Sequence, residues 1–130
     1  MSDILERLRS RGITPSAQRV AIAEYVLTTN EHPSADRVFT VVGERLPVLS
    51  RATVYNTLKL FVEKGLLRTV NLAEGGVVFD SNLDRHHHFV DVDSGEIVDI
   101  DWNRLRVAGV PDLEGYEVEH YEVVLRGRRR

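Results

Sequence analysis

Apolar residues recur at helical spacing through the first half of the chain and at strand spacing through the second. Ile4, Leu5 and Leu8 share one face of a short helix over 3–10, closed by Arg11-Gly12. Thr14 is placed to cap a second helix, with Pro15 at its first position, where a missing N–H costs nothing. Val20, Ile22, Ala23, Val26 and Leu27 keep the helical period there, to about Asn30. His32-Pro33 breaks the chain, and Ser34 caps a third helix carrying Val38, Val41, Val42 and Leu46 that ends at Pro47. Ser50 caps a fourth, in which Val54, Leu58, Phe61 and Val62 form a buried stripe and Gly65 lies just past the end.

Beyond Gly65 the period changes. Residues 66–70 and 77–79 predict a hairpin that turns at Ala73-Glu74-Gly75-Gly76. A second hairpin runs over 86–92, turns at Asp93-Ser94-Gly95 and returns over 96–100. Residues 103–108 hold one helical turn, and 111–115 read as loop. The alternation over 116–125 predicts a last strand, with Tyr116, Val118 and His120 on one face.

Helices followed at once by a hairpin is the winged helix–turn–helix order. The expectation is an α+β chain: an N-terminal winged helix–turn–helix over 1–79, a hinge at 80–84, and a small C-terminal α/β dimerisation domain over 84–130. The second segment is short for an independent fold. Alone it would expose Val90, Ile97, Ile100, Val123 and Leu125, which predicts a homodimer.

Composition narrows the classes. A chain of 130 residues, 42% hydrophobic and 28% charged, is ordinary globular material. No apolar run approaches the roughly 18 residues of a membrane span. The charged start, Met1-Ser2-Asp3-Ile4-Leu5-Glu6, is unlike a signal peptide, so a cytoplasmic location is expected. The absence of cysteine excludes disulfides, thiol catalysis, iron–sulfur clusters and cysteine zinc sites. The net charge of −3 hides an asymmetry: residues 1–72 hold ten basic and seven acidic side chains, residues 73–130 seven basic and thirteen acidic. A basic first half suits nucleic acid.

The fourth helix has the design such a partner needs. Ala52, Asn56, Lys59 and Glu63 lie opposite the apolar stripe, with Arg51 and Tyr55 flanking it. Asn56 can bond a base edge in two places, and Tyr55 offers a ring to a thymine methyl. Ser50, Arg51 and Thr53 can hold phosphates beside the helix N-terminus. Any amphipathic helix with a polar outside shares the bare pattern.

The second chemical signal is His86-His87-His88 on a strand. Successive strand residues alternate faces, so His86 and His88 point together and His87 away. If Asp93 pairs with Glu96 around the turn, Val90 faces Asp99 and His88 faces Asp101, so Asp99 and Asp101 share the His86/His88 face. Two imidazoles and a carboxylate are most of a divalent-metal site, which Asp80 or His32 could complete. A surface triplet of histidines is the plain alternative.

Longer stretches of text go further. Ser50-Arg51-Ala52-Thr53-Val54-Tyr55-Asn56-Thr57-Leu58, continued by Phe61-Val62-Glu63-Lys64-Gly65-Leu66-Leu67, closely resembles the recognition helix of the Fur family of metal-dependent repressors. Ile13-Thr14-Pro15 with Gln18-Arg19, and His32-Pro33-Ser34-Ala35-Asp36, resemble its second and third helices. The likeness spans about residues 5–125. It implies a homodimeric metal-regulated repressor of double-stranded operator DNA, not an enzyme, with Arg19 and Thr57 joining Ser50, Arg51, Thr53, Tyr55 and Asn56 in the interface.

In the peroxide-sensing PerR branch the regulatory ligands fall, residue by residue, on His32, Asp80, His86, His88 and Asp99 of this chain. Such a set suits one Fe(II), Mn(II) or Zn(II) per subunit and has too few oxygens for Ca(II). Peroxide response is part of what this branch implies. Phe79-Asp80-Ser81-Asn82 with His86-His87-His88-Phe89 also resembles the Irr branch, which answers to haem; a zinc-responsive member is a further alternative. The family's two C-x-x-C pairs, which bind a structural zinc, are absent: Asp91 and Ser94 stand at the first and the arginine tail at the second. His87 and His120 form a candidate second, weaker metal site.

Overall fold

The computed structural model describes residues 2–72, 76–109 and 113–130. The chain divides into two compact units, Met1–Leu83 and Asp84–Arg130. Among the described residues no helix is long and apolar enough to cross a membrane.

Four helices and a hairpin make the first unit: α1 (Ser2–Ser10), α2 (Ala17–Val26), α3 (Ala35–Arg45), α4 (Arg51–Glu63), β1 (Arg68–Leu72) and β2 (Gly76–Asp80). Leu8, Ile22, Val26, Val38, Val42, Val54, Leu58 and Phe61, one or more from each helix, meet in a single apolar core with at most 2% exposure. The caps set the helix ends. Ser34 Oγ accepts from Arg37 N at 3.1 Å, and Ser50 Oγ from Thr53 N at 3.1 Å.

At the far end of α4, Leu66 N donates to Phe61 O and Gly65 N to Val62 O, at 2.8 and 3.1 Å. That paired closure needs a left-handed residue, and Gly65 supplies it at φ +79°. Leu66 and Leu67 then drop into the core, 4% and 3% exposed, so β1 starts at Arg68 rather than at 66. The cap of α2 also differs from expectation. Ser16, not Thr14, is extended and accepts from Arg19 N, which leaves Pro15 outside the helix, and α2 ends at Val26. Two hydroxyls competed for one cap, and the one adjoining the helix won.

β1 and β2 pair antiparallel, Arg68 opposite Asp80 and Val70 opposite Val78. Of the expected wing turn, Ala73, Glu74 and Gly75 lie outside the described residues, as do 111–112 of the expected loop. The helices and hairpin are a winged helix–turn–helix, and the whole chain is α+β.

The second unit is a three-stranded sheet in the order β4-β3-β5: β3 (His86–Asp91), β4 (Ile97–Asp101) and β5 (Val124–Gly127), with a 3-10 turn at Trp102–Arg104. β3 pairs antiparallel with β4, His86 opposite Asp101, His88 opposite Asp99 and Val90 opposite Ile97. This register is two residues from the expected one. The cause is the loop. Asp91 N donates to Glu96 O at 2.9 Å, Gly95 N returns to Asp91 O at 2.7 Å, and Asp91 Oδ1 accepts from Asp93 N and Ser94 N at 2.9 and 3.3 Å. Asp91 therefore closes a four-residue loop, with Gly95 at φ +80°. Those backbone donors hold the Asp91 carboxyl below the usual carboxylate range, aided by the Ser94 side chain and Arg129. Arg129 also reaches Glu96 at 3.5 Å, but at 84% side-chain exposure such pairs contribute little.

β5 lies parallel to β3, His88 opposite Val124 and Val90 opposite Arg126. The strand expected over 116–125 is confined to 124–127. Val90 and Ile97, expected to be exposed in a lone unit, are buried at 6% and 8%; within the strands Val98 and Leu125 are open, at 51% and 42%.

Candidate metal centre and nucleic-acid interface

Each unit carries a piece of the predicted metal set. In the first, Phe79 N donates to Pro33 O at 2.9 Å, which ties β2 to the segment entering α3. The tie brings neighbours on both sides together: His32 Nε2 lies 3.3 Å from Asp80 Oδ2, with 3% and 6% side-chain exposure. The other Asp80 oxygen accepts from Asn82 N at 2.9 Å, so the carboxylate is oriented by its own turn.

In the second unit the observed register sets His88 directly opposite Asp99. Asp99 Oδ1 lies 3.5 Å from His86 Nε2 and 3.6 Å from His88 Nε2, and the two rings meet edge to face at 4.5 Å. A slip of two residues preserves which face a side chain takes, so the expected partnership of Asp99 with both histidines holds. The His86 ring is fixed from behind, Nδ1 being 2.5 Å from the Asp84 carbonyl oxygen.

These spacings suit ligands. Donor atoms each ~2.1 Å from one ion stand ~3.0–3.4 Å apart at octahedral to tetrahedral angles. Separations of 3.3 to 3.6 Å are close to that and longer than most N–H···O bonds. His32 and Asp80 in the first unit, and His86, His88 and Asp99 in the second, each offer one ligand atom, a ring nitrogen or a carboxylate oxygen and no sulfur.

His87 and His120 are engaged separately. His87 is fully buried on the other face of β3; its Nδ1 accepts from Val123 N at 2.9 Å and its ring stacks on Trp102 at 4.5 Å. Burial pushes its pKa below the ordinary histidine value, against the pull of the Glu122 carboxylate. Arg85 covers the Trp102 ring at 4.0 Å. His120 is half-exposed, with Nε2 3.1 Å from Glu122 Oε2. Sequence reasoning passed over Glu122 and Trp102, because nothing local marks a residue that acts across a parallel strand pair.

The outer face of α4 presents Tyr55, 53% exposed, with Arg51 and Asn56 also open to solvent. A cleft of about 580 Å³ runs between this face and the start of α2, lined by Ser16, Arg19, Thr53 and Asn56 among others. Arg19 is braced there by the Thr14 carbonyl at 2.9 Å. Arg51 is held by Asp36 at 2.6 Å and lies 4.5 Å over the Phe39 ring. Ser50 is occupied in capping. Thr57 corrects the expected interface: at 5% exposure it belongs to the inner side of α4, one turn beyond Val54.

A winged helix followed by a unit that gathers histidine and carboxylate side chains has the parts of a metal-responsive DNA-binding regulator. The ferric uptake regulator family matches residues 10–126. The peroxide operon regulator of Bacillus subtilis (strain 168) is 30% identical over 134 residues, which cover 98% of this chain and 89% of that protein. Among solved structures, the ferric uptake regulator from Pseudomonas aeruginosa with manganese is 28% identical, with a TM-score of 0.71 over 96% of each chain. PerR from Streptococcus pyogenes is 30% identical, with a TM-score of 0.56 over 98% of this chain and 88% of its own. The chain belongs to the ferric uptake regulator family, whose members are transcriptional regulators that bind DNA and dimerise, and are not enzymes.

Proposed function

We propose that this chain is a cytoplasmic, homodimeric repressor in which one divalent ion per subunit joins the two half-sites, His32 and Asp80 from the first unit with His86, His88 and Asp99 from the second. The observation that carries the reading is the ligand-like spacing inside each half, 3.3 Å in one and 3.5 to 3.6 Å in the other. Two donors bind an ion weakly and three bind it incompletely; five make a five-coordinate shell. The bound ion supplies a tie between residues on either side of 80–84, and so selects one placement of the two α4 helices on operator DNA. On this reading residues 1–79 hold the DNA and 84–130 the partner subunit.

Imidazole and carboxylate without thiolate suit Fe(II) or Mn(II), with Zn(II) also accommodated. The relatives named for peroxide favour peroxide as the signal, and the Pseudomonas aeruginosa regulator solved with manganese favours Mn(II) as an ion the site can take. Haem needs an imidazole open to a flat macrocycle; His86, His87 and His88 are each at most 2% exposed, and the half-exposed His120 is already paired with Glu122, which favours a bare ion.

The test uses DNA selected from random sequence by the metal-loaded protein. His32→Ala keeps part of the Mn(II) affinity, since three donors remain, but loses metal-dependent DNA binding. His88→Ala loses both. Calorimetry reads the first and fluorescence anisotropy the second. A His32→Ala protein that answers to metal as wild type does overturns the joined site.

A further inference from the structure

His86 and His88 aim Nε2 at one oxygen of Asp99, and each has an acceptor behind its other ring nitrogen. For His86 that acceptor is the Asp84 carbonyl. For His88 it is a side chain: Glu122 Oε1 lies 3.6 Å from Nδ1. The Asp84 carbonyl selects one tautomer of His86, with the proton on Nδ1 and the lone pair on Nε2, and a carboxylate facing Nδ1 of His88 favours the same one. An imidazole binds a metal only through that lone pair.

Glu122 is itself well placed. Its neighbour Val123 is stitched to β3 twice, Val123 N donating to His87 Nδ1 at 2.9 Å and His88 N donating to Val123 O at 3.0 Å. The second carboxylate oxygen meets His120 Nε2 at 3.1 Å. The carboxylate is thus bracketed between a fully buried histidine and a half-exposed one, with 21% of its own side chain open. A movement of about half an ångström brings it within hydrogen-bond range of His88.

We propose that Glu122 is a positioning residue of the metal centre: it accepts the Nδ1 proton of His88, holds the ring with Nε2 toward Asp99, and makes that nitrogen a stronger donor. A carboxylate does this better than the neutral carbonyl behind His86, because it stabilises the positive charge that the ring gains on binding a cation. The inference rests on the ligand set proposed above.

The test compares four full-length variants for Mn(II) affinity by calorimetry and for the visible absorption of bound Co(II). Glu122→Leu binds Mn(II) about 10–100-fold more weakly and shifts the Co(II) bands. Glu122→Gln, whose amide oxygen still accepts from Nδ1, recovers much of that loss. His120→Ala stays close to wild type. Wild-type affinity and spectrum in Glu122→Leu, with binding lost in His88→Ala, overturn the positioning role and leave the ligand set standing. Wild-type binding in His88→Ala overturns both, since Glu122 then has no bound histidine to orient. A loss in His120→Ala as large as in Glu122→Leu also overturns the role, because the pair then contacts the ion itself. A Glu122→Gln protein as weak as Glu122→Leu overturns it too.

Discussion

The two units exclude water by opposite means. In the first, the fully buried side chains include Leu8, Ile22, Val38, Val42, Val54, Leu58 and Phe61. In the second they are His87 and His88, with His86 and Asp91 close behind; Val90 and Ile97 are the buried apolar residues among those described. An apolar core gains from burial alone. A buried imidazole or carboxylate gains only when it has partners, and loses when it has none. The apolar core of α1–α4 should therefore be insensitive to ions and pH over a wide range, while the second unit answers to both.

The sharpest break is in the apolar core. Phe61→Ala should cost about 3–5 kcal/mol, read from urea unfolding followed by helical circular dichroism. Mn(II) should not restore it. A cost below about 1 kcal/mol would mean that the helices are not held by this core.

A smaller effect sharpens the other side. Mn(II) at about a hundred times its dissociation constant should stabilise the folded chain by about 2.7 kcal/mol. Amide exchange should slow most in β3 and β4, because opening the second unit releases three of the five proposed ligands, and less in α4. Equal slowing in both units would erase the contrast.

The smallest concerns Asp91, whose carboxyl is held down by backbone N–H groups. Its stabilisation is complete above the unfolded carboxylate pKa of about 3.9 and disappears as pH falls through its lowered folded value. Asp91→Asn should lower Tm modestly at pH 7, and the gap from wild type should close on acidification below about pH 4. A gap that widens in acid would reverse the sign argued for this group.

Much of the first unit was legible because its signals are local. Ser34, Ser50 and Gly65 sit within one turn of the helix ends they fix, and the stripe through Val54, Leu58 and Phe61 shows which side of α4 is inward. Thr57 entered through the resemblance, which carries a motif position over without its angular place on the helix, and that place is inward. In the second unit, face alternation survived a two-residue slip, so Asp99 was found with its histidines even though the turn was wrong. The β3–β5 pairing was not legible, because parallel partners 36 positions apart, such as His88 and Val124, leave no local trace. Glu122 was lost with it. The alternation over 116–123 imitated a strand where the chain has none.

The loop at Asp91 bears on chemical damage. A structural zinc held by C-x-x-C pairs, the arrangement the family resemblance implies at this place, would depend on sulfur, and oxidised sulfur releases its metal. Here an aspartate carboxylate gathers the same turn through two backbone N–H groups, and the whole chain contains no cysteine and one methionine. An oxidant thus finds no structural staple to strip. On the ligand set proposed above, damage at the imidazoles of His32, His86 and His88 can silence regulation while the scaffold stays folded, so loss of signal and loss of protein become separate events.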